Sequence, residues 1–312
     1  MPDGSELFDR RHRDQRSMTD ADQAEIAAIR AGGAIVDEGI YDDLVAGAMD
    51  DFEDETVVAR EEWHQRDLAV DNGAGTVQAL VEHRSRLLGE DYPFRIDDNR
   101  LVHSGRGFGW YEFMLAASVQ RDLSSEPYNR FPQVFERASS VLSRGLLGPG
   151  ASSLHVGTPR DAGRSFKEAF AELDRLTGEW SWRPMDGLPE AGPKTGDDGL
   201  DFVTWLAAGG DRPGHLFLLG QCACGDNWVS KLAELNLGKI GSWTGQAWAV
   251  EPIRLFATAH VLADGHFVRS QKDAGLILDR VRLCMLERSH GLGTIDEFRA
   301  EMAKLTNLVI DS

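Results

Sequence analysis

The sequence predicts an α/β protein with a central mixed sheet flanked by helices, and three observations point there. Apolar residues at helical spacing alternate along the chain with short apolar runs, the pattern of helices packed on a few strands. The two clearest runs, Gly199 to Trp205 and His215 to Gln221, enclose Gly209-Gly210-Asp211-Arg212-Pro213-Gly214, a turn composition that predicts an antiparallel hairpin. At 312 residues the chain can bury a substantial core, as one large domain or two modest ones.

Residues 1–20 are charged and carry almost no apolar periodicity, which predicts a flexible arm. Residues 21–106 read as an acidic helical accessory module. Ile26, Ile29, Leu44, Val45, Met49 and Phe52 fall at spacings of three and four, and Val77, Leu80, Val81, Leu87 and Leu88 resume the pattern after Asp71-Asn72-Gly73, a turn signal. Tyr92 to Ile96 and Leu101-Val102, parted by Asp97-Asp98-Asn99, read as a short hairpin that closes the module. Gly105-Arg106-Gly107-Phe108-Gly109 does not stand between a strand and a helix, as a phosphate cradle requires, and reads as a linker.

A second unit is expected over residues 107–290. Trp110 to Ser118 is an apolar helix, and Phe131 to Leu142 a second one ended by Gly145. Leu154-His155-Val156-Gly157 is a short strand or loop, and Ser165 opens a helix through Leu176 that Gly178 ends. After the hairpin, Asp226-Asn227 can cap a helix whose Trp228, Lys231, Leu232 and Leu235 share one face. Ile253 to His260 and Ala274 to Leu283 read as two strands that extend the sheet, and residues 291–312 as a C-terminal amphipathic helix.

If the two central runs pair antiparallel, Asp201 at the start of one and Gln221 at the end of the other meet at the open end of the hairpin. A carboxylate and an amide carbonyl held there can share a hard cation such as magnesium. Lys194-Thr195-Gly196-Asp197-Asp198-Gly199-Leu200-Asp201 before one strand, with Gln221 after the next, resembles the PD-(D/E)XK nuclease superfamily in the arrangement of Mrr-type restriction enzymes and archaeal junction resolvases. The resemblance covers the central third of the chain. It implies a restriction-endonuclease-like mixed sheet and a metal-dependent DNA endonuclease using one or two Mg2+ or Mn2+ ions, in a prokaryotic restriction or antiphage role.

By that resemblance Asp201 is the central metal carboxylate, Gln221 stands where the superfamily has Glu or Gln, and Asp198 is an accessory acid or a loop cap. The family's lysine falls two residues after Gln221, where this chain has Ala223. Lys231 on the following helix and Lys194 before the acidic loop are the candidate replacements. Glu168 matches in position an acid that the family's first core helix sends toward the metals, but Ser165-x-x-Glu168 is also a capping box, which is the favoured reading. Glu172, one turn on, is the rival metal candidate. Glu136 in Phe135-Glu136 resembles the Phe-Glu pair that opens many Mrr-type domains, and reads otherwise as an exposed helix acid.

Composition bounds the partners. A net charge of -18 opposes a simple nucleic-acid binder, because duplex affinity comes largely from Lys and Arg on phosphates. The charge is uneven, since residues 37–62 hold eleven acids and one arginine. DNA is nevertheless the partner that the resemblance implies, with Arg212 as a phosphate contact and Trp243 and Trp248, in the glycine-containing segment 241–250, as base-stacking candidates. Such tryptophans are more often core. A protein partner that supplies nucleic-acid affinity or activation would reconcile the charge with the motif, and a homo-oligomer is compatible with either reading. The rival class is a catalytically degenerate subunit that keeps the fold and acts as a regulatory or scaffolding module.

Cys222, Cys224 and Cys284 form no disulfide framework and no paired zinc motif, and read as buried small residues in a reducing compartment. The absence of a G-x-x-x-x-G-K-S/T loop opposes ATP hydrolysis. No apolar run approaches a membrane span and the charged start does not resemble a signal peptide, so a soluble, cytoplasmic protein is expected.

Overall fold

In the computed structural model of the chain, residues 4–32, 34–35, 61–97, 100–160, 163–188, 198–209, 212–245, 248–289 and 295–312 are described. They divide into two compact units, Met1–Gly107 with Asn307–Ser312, and Phe108–Thr306. No helix among the described residues is long and apolar enough to cross a membrane.

In the first unit, helices α1 (Gly4–Arg30) and α2 (Glu61–Leu88) pack together. Strands β1 (Ala34–Ile35), β2 (Phe94–Asp97) and β3 (Arg100–His103) form an antiparallel sheet in the order β1-β3-β2. Residues 4–20 are therefore helical rather than a loose arm, and α2 runs unbroken through Asp71-Asn72-Gly73, where composition predicts a turn. A single Gly costs a helix only about 1 kcal/mol, less than burial of Val77, Val81 and Leu88 on the same helix returns. Beneath them Arg84 Nη1 lies 2.8 Å from Asp22 Oδ1 and 2.6 Å from Glu25 Oε1, and Tyr92 donates to the same Glu25 oxygen at 2.5 Å. Most of the acidic stretch, residues 36–60, lies outside the described residues.

The second unit opens with α3 (Trp110–Val119) and α4 (Arg130–Leu147), followed by β4 (Ser152–His155) and α5 (Phe166–Thr177). The hairpin is β5 (Phe202–Leu206) and β6 (Leu216–Ala223). Short helices α6 (Trp228–Lys231) and α7 (Leu237–Thr244) lead to β7 (Ile253–Thr258), α8 (Asp264–Ala274), β8 (Leu276–Leu278) and α9 (Arg280–Ser289). A last helix, α10 (Arg299–Ile310), starts in this unit, with Met302 and Leu305 buried as their spacing predicts, and its residues from Asn307 belong to the first unit. The five strands form one mixed sheet in the order β4-β5-β6-β7-β8. Its first two pairings are antiparallel and its last two parallel, so the chain is α/β, with helices packed on the sheet.

Strand alternation assigns the two faces. Val203, Trp205, Phe217 and Leu219 enter a core with Phe166, Phe170, Leu173 and Trp180, and this is the face that α5 covers. Thr204 and Cys222 point the other way, to Ser143 and Ser139 of α4. Gly220 shares that side with Phe202, whose ring would lie 2.2 Å from any Cβ at residue 220. The serines of α4 let the helix approach the hairpin closely, and Gly220 leaves room for the Phe202 ring of the neighbouring strand.

The run Ala274 to Leu283, which reads as one strand, divides into β8 and the start of α9. Asp279 makes the break, because its Oδ1 accepts the Arg282 N–H at 3.0 Å, the helix-starting bond that a short acidic side chain provides. The helix expected through Leu235 ends at Lys231. A tighter turn follows it, in which the Glu234 N–H donates to the Lys231 carbonyl at 3.1 Å.

Candidate functional site

Three elements bring polar side chains to the open end of the β5–β6 hairpin. Asp201 precedes β5, and its backbone carbonyl accepts the Val156 and Gly157 N–H groups at 2.7 and 2.8 Å. That pairing carries the chain beyond β4 alongside Asp201. Its carboxylate Oδ2 accepts the Cys222 N–H at 2.6 Å, which fixes the side chain on the hairpin. Glu136 reaches the same place from α4. A Cβ built on Gly157 would lie 2.9 Å from Glu136 Oε2 and 3.0 Å from Asp201 Oδ1. Both carboxylates therefore pack against Gly157, and each can come this close because residue 157 has no side chain. His155, with 4% of its side chain exposed, places Nε2 3.1 Å from Glu136 Oε2.

Next to this pair lies a cavity of about 420 Å³ whose lining includes Glu136, Cys222, Cys224, Arg121, Asp122 and Lys231. Its charges are mixed, since Arg121 and Lys231 share the lining with Asp122, Glu136 and Asp226. Asp122 is held down to about 2 by hydrogen bonds from Ser124 and Ser125, so it stays ionised and ties the loop at that side of the cavity. Burial pushes the Cys222 thiol well above its usual range, and the charges of Asp201 and Glu136 add to this. Burial also pushes Cys224 up to about 12, with Glu136 raising it further and Lys231 opposing. Both thiols are protonated at neutral pH and serve as neither nucleophile nor ready metal thiolate.

A pH dependence follows from Cys224. Its folded-state value is raised from an ordinary 9.0 to about 12, so folding retains a proton that the unfolded chain releases. The stability this contributes is complete below about pH 9 and is lost as pH rises toward 12. Denaturant midpoints measured across that window are expected to fall for the wild type and to fall less steeply for Cys224→Ala.

The hairpin brings Asp201 and Gln221 to opposing positions, as their runs predict: β5 and β6 pair with Phe202 opposite Gly220, and the Asp201 N–H donates to the Gly220 carbonyl at 2.9 Å. Their side chains do not join. Gln221 Nε2 donates to Glu234 Oε2 at 2.9 Å, and Gln221 Oε1 accepts the Leu235 N–H at 3.3 Å. The residue of β6 turned toward Glu136 is Cys222, one position along, because a single step on a strand changes the face. Lys231 does line the cavity. Lys194 lies outside the described residues.

The other candidates are engaged elsewhere. Asp198, at φ 51°, accepts the Trp243 indole N–H at 2.7 Å. Glu168 closes the capping box, accepting the Ser165 N–H and hydroxyl at 2.6 and 2.8 Å, bonds that hold it below the usual carboxylate range. Glu172 is held low by its fork with Arg175 at 2.6 and 2.8 Å. Both acids ride on α5, on the far side of the sheet from Glu136. Trp243 is not in a loop: it sits in α7, 4% exposed and stacked on Trp182 at 5.2 Å. Trp248 packs edge-on to Trp180. Trp243 is core, and Trp248 is partly buried and packs against that core. Arg212 is exposed at the closed end of the hairpin, separated from Asp201 by the length of β5, roughly 17 Å for five residues.

Two members of the cluster carry faint sequence signals. His155 is marked only as the one polar residue of Leu154-His155-Val156. Cys222 is marked by its period-two relation to Gly220. Among the described residues no group of three or more His, Cys, Asp or Glu is arranged to hold a metal ion. A magnesium ion is nonetheless commonly held by one or two carboxylates, with waters and substrate phosphate completing its shell, and Glu136 and Asp201, brought together at Gly157 beside the cavity, fit that donor set. Comparison with family models, curated proteins and solved structures finds no match to this chain.

Proposed function

We propose that the chain is a metal-dependent nuclease of restriction-endonuclease-like architecture that hydrolyses phosphodiester bonds in DNA. The observation that carries this reading is the meeting of Glu136 and Asp201 at Gly157, beside the cavity that Glu136 lines. The element order supports it: a helix bearing one acid, three antiparallel strands with the second acid before the middle one, then a crossover to a parallel strand. Two carboxylates facing one point repel each other, and a divalent cation removes that repulsion.

Glu136 and Asp201 would hold Mg2+ or Mn2+. A bound ion of this kind supplies Lewis-acid polarisation of the phosphate and an acidified water. Asp201 is held in place by the Cys222 amide, and Glu136 is steadied by His155. The Lys231 ammonium, on a residue that shares the cavity lining with Glu136, would meet charge that develops on the phosphate, taking over the task of the lysine that Ala223 replaces.

The test is cleavage of plasmid, linear duplex and single-stranded DNA by the full chain with Mg2+ or Mn2+, with EDTA as control. Metal-dependent cutting is expected, and Lys231→Ala should slow it by about 100-fold. An unchanged rate in Lys231→Ala would remove the lysine from the chemistry. One observation favours a second reading, a silent regulatory or scaffolding subunit: Cys222 and Cys224, protonated thiols, stand two positions apart along the chain and both line the cavity. That reading predicts no cutting of any of the three substrates with either metal.

A further inference from the structure

Gln221 is almost fully buried, at 3% exposure, and both ends of its amide are spent on one loop. Its Nε2 donates to the Glu234 carboxylate and its oxygen accepts the Leu235 N–H. Glu234 in turn donates its own N–H to the Lys231 carbonyl at 3.1 Å. These hydrogen bonds join β6 to the residue that lines the cavity with an ammonium group. The same loop is gripped from a second side by the turn that leads into Asp201. Gly199 stands at φ 78°, where an L side chain is strained, and a Cβ there would lie 3.1 Å from both Glu234 Cγ and the Leu235 nitrogen.

We infer that Gln221 is a positioning residue that locks the Lys231–Leu235 turn to the hairpin and thereby sets where the Lys231 ammonium stands relative to Glu136 and Asp201. The inference rests on the nuclease reading for its catalytic consequence, while the clamp itself is a property of the fold. It assigns Gln221 the opposite task from a metal ligand. The amide is required here because it presents a donor to an acid and an acceptor to a backbone N–H at once, which a carboxylate cannot do. A carboxylate at 221, itself buried, would stand within hydrogen-bond distance of the Glu234 carboxylate with no donor between them, and force the turn away.

Charge exchange separates the two roles. Gln221→Glu, Glu234→Gln and the double variant are compared with wild type in two measurements: kcat and KM for metal-dependent plasmid cleavage, and amide hydrogen exchange over residues 226–238. The clamp predicts that Gln221→Glu lowers kcat by about tenfold or more with little change in KM, and speeds exchange in the turn. It also predicts that the double variant restores both, since the amide introduced at position 234 can then donate to the carboxylate introduced at position 221, which still accepts the Leu235 N–H. A metal-ligand role predicts the reverse: Gln221→Glu keeps or raises the rate at lower metal concentration, exchange is unchanged, and the second substitution rescues nothing. That outcome would overturn the inference. Hydrogen exchange reads the clamp even if wild type cuts nothing, so a failure of the nuclease reading is distinguishable from a failure of the clamp.

Discussion

Asp201→Asn is expected to reduce metal-dependent cleavage by at least about 100-fold while leaving the protein folded. The carboxylate has two separable tasks. One oxygen accepts the Cys222 N–H at 2.6 Å, and an asparagine carbonyl can do the same. The other lies against Gly157 beside Glu136, where a neutral amide cannot replace the negative charge that would hold a divalent ion. Asp201→Ala is a poorer probe, because it leaves the buried Cys222 amide without its acceptor at a cost of about 1–3 kcal/mol. The measurement is cleavage rate against metal concentration, alongside thermal unfolding of both variants. Full activity in Asp201→Asn would show that the chemistry lies elsewhere.

Gly157→Ala is expected to be as damaging to catalysis, by about 100-fold, through space alone. Gly157 is absent from the glycines with left-handed backbone, so alanine brings no conformational strain at that position. Its Cβ would meet Glu136 Oε2 at 2.9 Å, Asp201 Oδ1 at 3.0 Å and Asp201 Cα at 3.2 Å. The last contact is with backbone, which cannot swing aside as a flexible side chain does. The methyl group intrudes at the point where both acids contact residue 157 and pushes them away, and overpacking of this kind also costs about 1–3 kcal/mol of stability. The expected signature is a raised metal requirement together with a lowered maximal rate, read by titrating Mg2+ and Mn2+ into the cleavage assay. A variant that cuts with unchanged metal dependence would exclude that point as the place where the acids act. The same substitution leaves the Gln221 clamp untouched, so hydrogen exchange over residues 226–238 should match wild type.

Much of the second unit was legible because its signals are local. The capping box at Ser165 and Glu168 places a helix start whatever lies around it, and the Gly-rich turn between two apolar runs places the hairpin and the opposing of Asp201 and Gln221. The misreadings arose where tertiary packing outweighs a local preference. Asp71-Asn72-Gly73 has turn composition but continues α2, since the cost of weak helix formers is small beside burial. Trp243 lies in a segment containing several glycines, yet Asn236 starts a helix there and the indole enters the core against Trp182.

For the site, local pattern was enough to pair the hairpin, to mark Asp201 and to place a lysine soon after β6, whereas Glu136 is marked only by resemblance or as an exposed helix acid, and its side chain is instead 12% exposed, against His155. Which of these groups meet is a matter of three-dimensional packing. Glu136 and Asp201 are far apart along the chain, and nothing local specifies that α4 lies across the end of β5 so that both acids face Gly157. Nor does local pattern state that Gln221 turns to Glu234 while Cys222 turns to α4. On a strand whose two faces are both buried, hydrophobic alternation no longer marks inside from outside, and the face each residue takes is set by what packs against it.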